Sequence, residues 1–252
     1  MLHSMASIGV FDSGSGGLSV LREIRKILPD ERYIYFSDNA YCPYGEKTAE
    51  FVTARSRAIT DLLLSKGCRA VVVACNTATA AAIAELRLSY DIPFVGMEPA
   101  VKPAASGTRS GVVGVLATAG TLKASKYQNT KEQYADAVHI EERVGQGFVE
   151  LVENLDLESP HAECIVRASL QPLLDAGADT IVLGCTHYPF LLPLMRRITS
   201  PDIHFIDPAP AVARRLADVL KMSGIPLTDN NPGVELLSSG PDDTLKKLFK
   251  LI

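Results

Sequence analysis

The chain has 252 residues, of which 47% are apolar and 21% charged, and its formal net charge is -4. That length holds one large domain or two of ordinary size, and the composition is that of a packed, folded protein rather than a disordered one. The charge offers no electrostatic footprint for nucleic acid, and no apolar run reaches the roughly 18 residues a membrane helix needs.

Two further exclusions concern compartment. Met1 to Ser7 is too short and too polar for a secretory signal. Five cysteines are an odd number, without the CxxC spacing of a metal site or the density of a disulfide scaffold. A reduced, cytoplasmic setting is the expectation. There a cysteine is either a small buried apolar residue or a reactive thiol.

Short β-branched runs alternate with helical patterns along the chain. Ile8 to Phe11 reads as a buried strand followed by a glycine-rich turn, after which Leu18, Leu21, Ile24 and Leu28 recur at helical spacing. Tyr33 to Phe36 is a second strand. Phe51 to Leu63 is a helix that stops at Gly67, Ala70 to Ala74 a third strand, Ala78 to Leu88 a helix, and Pro93 to Gly96 a short strand. Between Met97 and Ser110, Pro99, Pro103 and Gly107 break any long helix, and this stretch reads as a crossing between domains. The alternation then restarts. Strands are expected at Val112–Leu116, Val138–Glu141, Thr180–Leu183 and His204–Ile206. Helices are expected from Pro160, from Ala211 to Met222 and around Leu245, Leu248 and Phe249. The pattern predicts an α/β fold with mainly parallel sheets flanked by helices.

A diverged repeat runs through the pattern. Ile8-Gly9-Val10-Phe11 matches Val113-Gly114-Val115-Leu116, so that Asp12-Ser13 corresponds to Ala117-Thr118. Val71 to Thr77 matches Ile181 to His187, which sets Cys75 opposite Cys185. Each half has an early strand ending near a hydroxyl residue and a later strand ending in cysteine. The expectation is two pseudo-symmetric α/β domains with the active site in the cleft between them. In such sheets ligands bind beyond the carboxyl ends of the strands.

Cys75 and Cys185 both sit at strand ends before an expected helix, where a thiol's pKa is lowered. Their polar neighbours Asn76, Thr77, Thr186 and His187 are wasted on a packing cysteine. Cys68, in the loop entering a strand, and Cys164, inside a helix pattern, read as structural. Cys42, beside Pro43-Tyr44-Gly45, reads either way. Two opposed thiols suit one task in particular: one removes a Cα proton and the other returns a proton on the opposite face, with roles exchanged in the reverse direction. The developing enolate charge needs donors, and Ser13, Asn76, Thr77, Thr118, Thr121 and Thr186 are available. The turn Gly14-Ser15-Gly16-Gly17 lacks the third glycine of a dinucleotide fingerprint and is preceded by Asp12, which argues against a nucleotide and for a small carboxylate. Asp12 could also simply cap the next helix, and His187 could be a satisfied polar residue. Beside the two thiols they are candidate proton partners.

The segments FDSGSGGLSVL from Phe11, SDNAYCPYGEK from Ser37, ACNTATA from Ala74, ATAGTL from Ala117 and GCTHYPFL from Gly184 together resemble the glutamate racemases of the aspartate/glutamate racemase superfamily. The resemblance implies interconversion of L- and D-glutamate for peptidoglycan, with neither pyridoxal phosphate nor metal. It implies that Cys75 deprotonates D-glutamate and Cys185 L-glutamate, assisted by Asp12 and His187. Substrate contacts carried over by motif are Asp12, Ser13, Tyr44, Gly45, Asn76, Thr77, Thr118, Thr121, Thr186 and His187. Glu153 is carried over as an acidic residue near the substrate ammonium. The family fold implies a first domain of residues 1–97 plus 208–252, a second of 98–207, and a homodimer. The chain departs from the family at Gly145-Gln146, where many relatives carry Cys-Pro, and at Ser15, where an apolar residue is common. There is no long N-terminal extension of the kind tied to activation by a cell-wall precursor, so such activation is not expected.

Two other enzymes compete on the residues alone. An aspartate racemase would differ by one methylene in its substrate. A hydrolase or lyase would use Cys185 as nucleophile with His187 as base, leaving Cys75 idle.

Overall fold

The computed structural model describes residues 7–224 and 232–252. The Met1–Ala6 part of the stretch read above against a secretory signal lies outside them. Among the described residues no helix is long and apolar enough to cross a membrane. The chain forms two compact units, Met1–Met97 with Ala209–Ile252, and Glu98–Pro208.

The first unit begins with β1 (Ser7–Asp12), α1 (Leu18–Ile27) and β2 (Arg32–Ser37). Two single-turn 3-10 helices, Asn39–Tyr41 and Tyr44–Glu46, lead to α2 (Ala49–Ser65), which Thr48 caps through the Phe51 amide. Gly67 then turns the chain at φ +83°, a left-handed conformation that suits glycine. β3 (Cys68–Val73), α3 (Asn76–Ser89) and β4 (Phe94–Gly96) follow.

The second unit contains α4 (Val101–Gly107), β5 (Val112–Ala117), α5 (Ala119–Lys123), α6 (Ser125–Tyr134), β6 (His139–Val144) and α7 (Phe148–Glu153). It continues with α8 (Pro160–Asp175), β7 (Thr180–Gly184), a 3-10 turn Tyr188–Leu191, α9 (Leu192–Ile198) and β8 (His204–Ile206). The chain then returns to the first unit with α10 (Ala209–Met222), β9 (Gly233–Ser238) and α11 (Asp243–Phe249).

Both sheets are parallel in every strand pairing. The first has the order β4-β3-β1-β2-β9 and the second β6-β5-β7-β8. Read from the other side, the second is β8-β7-β5-β6, the order of the first four strands of the first sheet. The repeat expected from sequence, β1 with β5 and β3 with β7, is therefore built into the topology. In each unit the chain leaves its first strand in one direction and later crosses back to the other side. That switch point opens between β1 and β3 and between β5 and β7, where α/β sheets hold ligands.

Burial explains the strands. Every residue of β1, β3 and β7 is buried, as expected of parallel strands covered on both faces. Phe11, Ile34, Phe36, Val71 and Val73 form one core with Ile59 and Leu63 of α2 and Ala78, Ala82 and Leu86 of α3. In the second unit Val113, Val115, Ala117, Ile140 and Val182 pack with Val101 and Ala104 of α4 and Tyr127 of α6. Each fully buried aliphatic side chain contributes roughly 1.5–3 kcal/mol. On the first unit α1 packs against α10, which explains why the returning segment belongs there.

Several elements differ from the sequence reading. The Met97–Ser110 stretch contains α4, with Pro103 in its first turn, where the missing amide hydrogen costs nothing. Helices α5, α6 and α7 and strand β9 were not expected. Cys68 is the first residue of β3 rather than a loop residue, and it is buried. Cys164 lies in α8 but is exposed, so it is not a core thiol.

Candidate active site

In the first unit the site is built where β1 and β3 end side by side. Phe11 pairs with Val73, and the Ala74 amide donates to the Phe11 carbonyl at 2.8 Å, which carries the pairing one step past the strands. Ser13 and Cys75 come next. The Cys75 Sγ lies 3.9 Å from Ser13 Oγ, and the Ser13 hydroxyl in turn reaches Asp12 Oδ1 at 3.4 Å. Cys75 is also the N-cap of α3, and its sulfur accepts the Ala78 amide at 3.4 Å. A thiolate there is favoured by the amides and dipole of a 14-residue helix.

Asp12 is fully buried, and its carboxylate accepts the Ser13 amide at 2.7 Å and the Gly17 amide at 2.6 Å. It therefore shapes the glycine-rich turn as well as bordering the thiol. Glycine is required at position 17 by space. A Cβ there would lie 2.8 Å from Asp12 Cβ and 3.1 Å from Ala74 Cβ.

Asn76 and Thr77 open α3 and are buried. Both polar atoms of the Asn76 amide are shut from solvent and have no partner among the described residues. An unsatisfied buried polar group costs about 1–3 kcal/mol. Such a cost is what a ligand-binding amide carries until its ligand arrives.

Tyr44 and Gly45 lie in the single turn before α2. The Tyr44 ring is buried and its phenol donates to Asp38 Oδ2. Its side-chain hydroxyl is thus committed to the protein, and only the backbone of Tyr44-Gly45 remains for a substrate. Burial, the Asp38 hydrogen bond and the charges of Asp38 and Cys75 push the Tyr44 phenol far above its ordinary pKa, so it stays neutral. Cys68 provides the contrast among thiols. Burial pushes it up to about 12, so it is a protonated packing group at neutral pH.

In the second unit the equivalent place is the end of β5 beside β7. Ala117 pairs with Gly184, whose own Cβ would lie 2.8 Å from Ala117 Cβ. Thr118 and Cys185 follow, as Ser13 and Cys75 do in the first unit. Thr118 caps α5, accepting the Thr121 amide at 3.2 Å and donating to the Thr121 hydroxyl at 3.0 Å. Cys185 Sγ is 3.8 Å from His187 Nδ1, and His187 Nε2 is 2.8 Å from Glu153 Oε1. Cys185, Thr186 and His187 are all buried. Glu153, expected near a substrate ammonium, is placed as the partner of the imidazole. The helix expected after Cys185 starts instead as a 3-10 turn at Tyr188, which His187 precedes without capping it through its side chain. Cys185 therefore lacks the helix N-cap that Cys75 has, and the His187–Glu153 pair occupies its surroundings.

Tyr188 was not singled out from sequence. It is fully buried, its hydroxyl points at the Gly145 carbonyl at 3.5 Å, and its ring meets Phe148 edge-on at 4.9 Å. Burial and the nearby Cys185 push its phenol well above the usual value. A Cβ at Gly145 would lie 2.5 Å from the Tyr188 oxygen, which explains glycine at this departure from the family pattern. Asp38 and Arg55 were also missed, although Asp38 stands in the SDNA run.

The profile of the Asp/Glu/Hydantoin racemase family matches residues 8–216. A glutamate racemase of Ectopseudomonas mendocina (strain ymp) is 47% identical, covering 100% of this chain and 96% of the relative. The Escherichia coli glutamate racemase, solved in complex with L-glutamate and the activator UDP-MurNAc-ala, is 35% identical with a TM-score of 0.86, covering 98% of this chain and 95% of that one. The Francisella tularensis subsp. tularensis SCHU S4 glutamate racemase, solved with D-glutamate, is 26% identical with a TM-score of 0.82, covering 98% and 92%. The chain belongs to the Asp/Glu/Hydantoin racemase family, among its glutamate racemases. Its activity class is therefore that of an amino-acid racemase.

Proposed function

We propose that this protein interconverts L- and D-glutamate by proton transfer between the substrate Cα and two cysteines, without a cofactor. The Cys75 thiolate takes the Cα proton of D-glutamate and becomes a thiol. The resulting enolate-like carbanion takes a proton from the Cys185 thiol on its other face, giving L-glutamate and a Cys185 thiolate. The reverse direction starts from Cys185. The observation that carries this reading is that each thiol stands at a β-strand end with its own hydrogen-bond chain, Cys75–Ser13–Asp12 and Cys185–His187–Glu153. The buried hydroxyls and amides of Ser13, Asn76, Thr77, Thr121 and Thr186, with half-buried Thr118 and the Tyr44-Gly45 backbone, supply donors for the carboxylates and the developing charge. The unpartnered Asn76 amide supports that role. The product D-glutamate would serve peptidoglycan synthesis in the cytoplasm, and the family's homodimer is carried with the same reading.

The test follows each glutamate enantiomer by proton NMR in heavy water. The Cα hydrogen of both should exchange for deuterium, and Cys75→Ala or Cys185→Ala should slow racemisation by about 10²–10⁴-fold or more. Absence of exchange with either enantiomer overturns the reading. Faster exchange with aspartate assigns the shorter substrate. Retained activity in Cys75→Ser with a covalent intermediate on Cys185 would favour nucleophilic chemistry.

A further inference from the structure

Beyond β2 a buried carboxylate ties together three parts of the first unit. Asp38 is fully buried, and its amide donates to the Asp12 carbonyl at 2.9 Å. Its Oδ2 accepts the Tyr44 phenol. Arg55 of α2 grips both carboxylate oxygens, Nε on Oδ2 at 2.9 Å and a terminal nitrogen on Oδ1 at 2.8 Å. The guanidinium lies over the Tyr41 ring at 4.2 Å, and Tyr41 packs on Phe51. A planar fork bonded to both oxygens fixes a carboxylate's orientation as a point charge does not. Tyr41 and Tyr44 bracket the Cys42-Pro43 step, so both ends of the segment before Gly45 are attached to this one ion pair.

We propose that Arg55 is a positioning residue for substrate binding: it orients Asp38, Asp38 orients the Tyr44 phenol, and the phenol sets the Tyr44-Gly45 backbone that meets the substrate. The inference rests on the racemase reading above. Nothing in the chemistry of proton transfer needs Arg55, because it reaches the substrate only through two other residues. Its loss should therefore act on binding more than on turnover.

The experiment measures steady-state racemisation in both directions for Arg55→Ala, Arg55→Lys, Tyr44→Phe and the double variant Arg55→Ala/Tyr44→Phe. Arg57→Ala serves as the control, since Arg57 pairs with Glu85 on the exposed side of α2. Arg55→Ala should raise KM for both enantiomers about tenfold while kcat changes less. Arg55→Lys should recover only part of the loss, since it restores charge without the fork. The double variant should be no worse than the poorer single one, because both changes break one chain. Added methylguanidinium should lower KM of Arg55→Ala and leave that of Arg57→Ala unchanged. If Arg55→Ala lowers only the melting temperature, with KM intact in the folded fraction, the proposal fails. It fails equally if the two single losses multiply. A wild-type protein that does not racemise glutamate would overturn the parent reading instead, a result that is read before any variant is made.

Discussion

Ser13 meets the thiol of Cys75, whereas His187 meets that of Cys185. The repeat makes these two thiols equivalent in position, and the residues beside them make them unequal in chemistry. Ala117 stands where the first unit has Asp12, and Thr77 where the second has His187. A hydroxyl relays a proton only by giving up its own, so Ser13 passes charge on toward the Asp12 carboxylate. An imidazole both accepts and donates, and Glu153 at 2.8 Å holds it in place. Proton abstraction from D-glutamate should therefore depend on Asp12 and Ser13, and abstraction from L-glutamate on His187 and Glu153. Asp12→Asn and Ser13→Ala are expected to slow deuterium exchange of the D-enantiomer by about 10–100-fold more than that of the L-enantiomer. His187→Asn should do the reverse, and Glu153→Gln should follow it more weakly. Asp12→Asn also loosens the turn closed on Gly17, so its melting curve must be recorded beside the kinetics. Equal losses for both enantiomers in all four variants would overturn the division.

At the scale of elements, one carboxylate secures the entry to the second sheet. Asp179, just before β7, accepts the Thr108 hydroxyl at 2.6 Å, the Arg109 and Ser110 amides at 2.8 Å each, and the Thr180 hydroxyl at 3.0 Å. Partial burial alone would raise its pKa, but these four donors outweigh it and hold the carboxyl well below the usual carboxylate range. A lowered folded pKa means that the stabilisation is present above the unfolded value of about 3.9 and disappears as the pH falls through it toward the folded value. Asp179→Asn should thus cost about 1 kcal/mol at pH 7, trimmed by solvent screening at this half-exposed site. Urea unfolding should show the gap closing as the pH drops below 4, and a pH-independent gap would rule out the charge as its source. The same anchor shows what sequence could and could not reveal. Buried parallel strands such as β1, β3 and β7 are legible because their central runs, Ile8–Phe11, Ala70–Val73 and Ile181–Gly184, are apolar or small. Helix α8 is legible from Ser159-Pro160 at its start. Helices α5 to α7 are short and irregularly patterned, and α6 buries only Tyr127, so periodicity had little to report. At the site, Cys75, Cys185 and their neighbours were legible as motifs. Arg55 was not, because its bond to Asp38 spans 17 residues and depends on how α2 packs.

For the whole chain, the matched strand orders of the two sheets leave one strand over. β9 extends the first sheet beyond β2, pairing in register from Arg32–Gly233 to Ser37–Ser238. None of its residues is fully buried, which is why its alternation was weak in the sequence. Its continuation holds the turn that leads to Tyr44. The Asn39 amide nitrogen donates to the Pro241 carbonyl, the Ala40 amide donates to Ser239 Oγ at 3.1 Å, and the Ser238 hydroxyl donates to Asn39 Oδ1 at 2.7 Å. α11 adds Leu245 and Leu248 to the core. The returning segment thus covers an edge and braces the approach to the substrate segment. Deleting residues 233–252 leaves β2 as an unprotected edge strand, a template for pairing with other chains. The shortened protein should aggregate, visible as a growing light-scattering signal at concentrations where the full chain is monodisperse. Asn39→Ala removes the brace without exposing the edge. It should stay monodisperse while KM for both enantiomers rises several-fold, as loss of about 1 kcal/mol of hydrogen bonding would give. A shortened chain that remains monodisperse, or an Asn39→Ala variant with unchanged KM, would show that the corresponding role of the segment, edge cover or brace, is not needed.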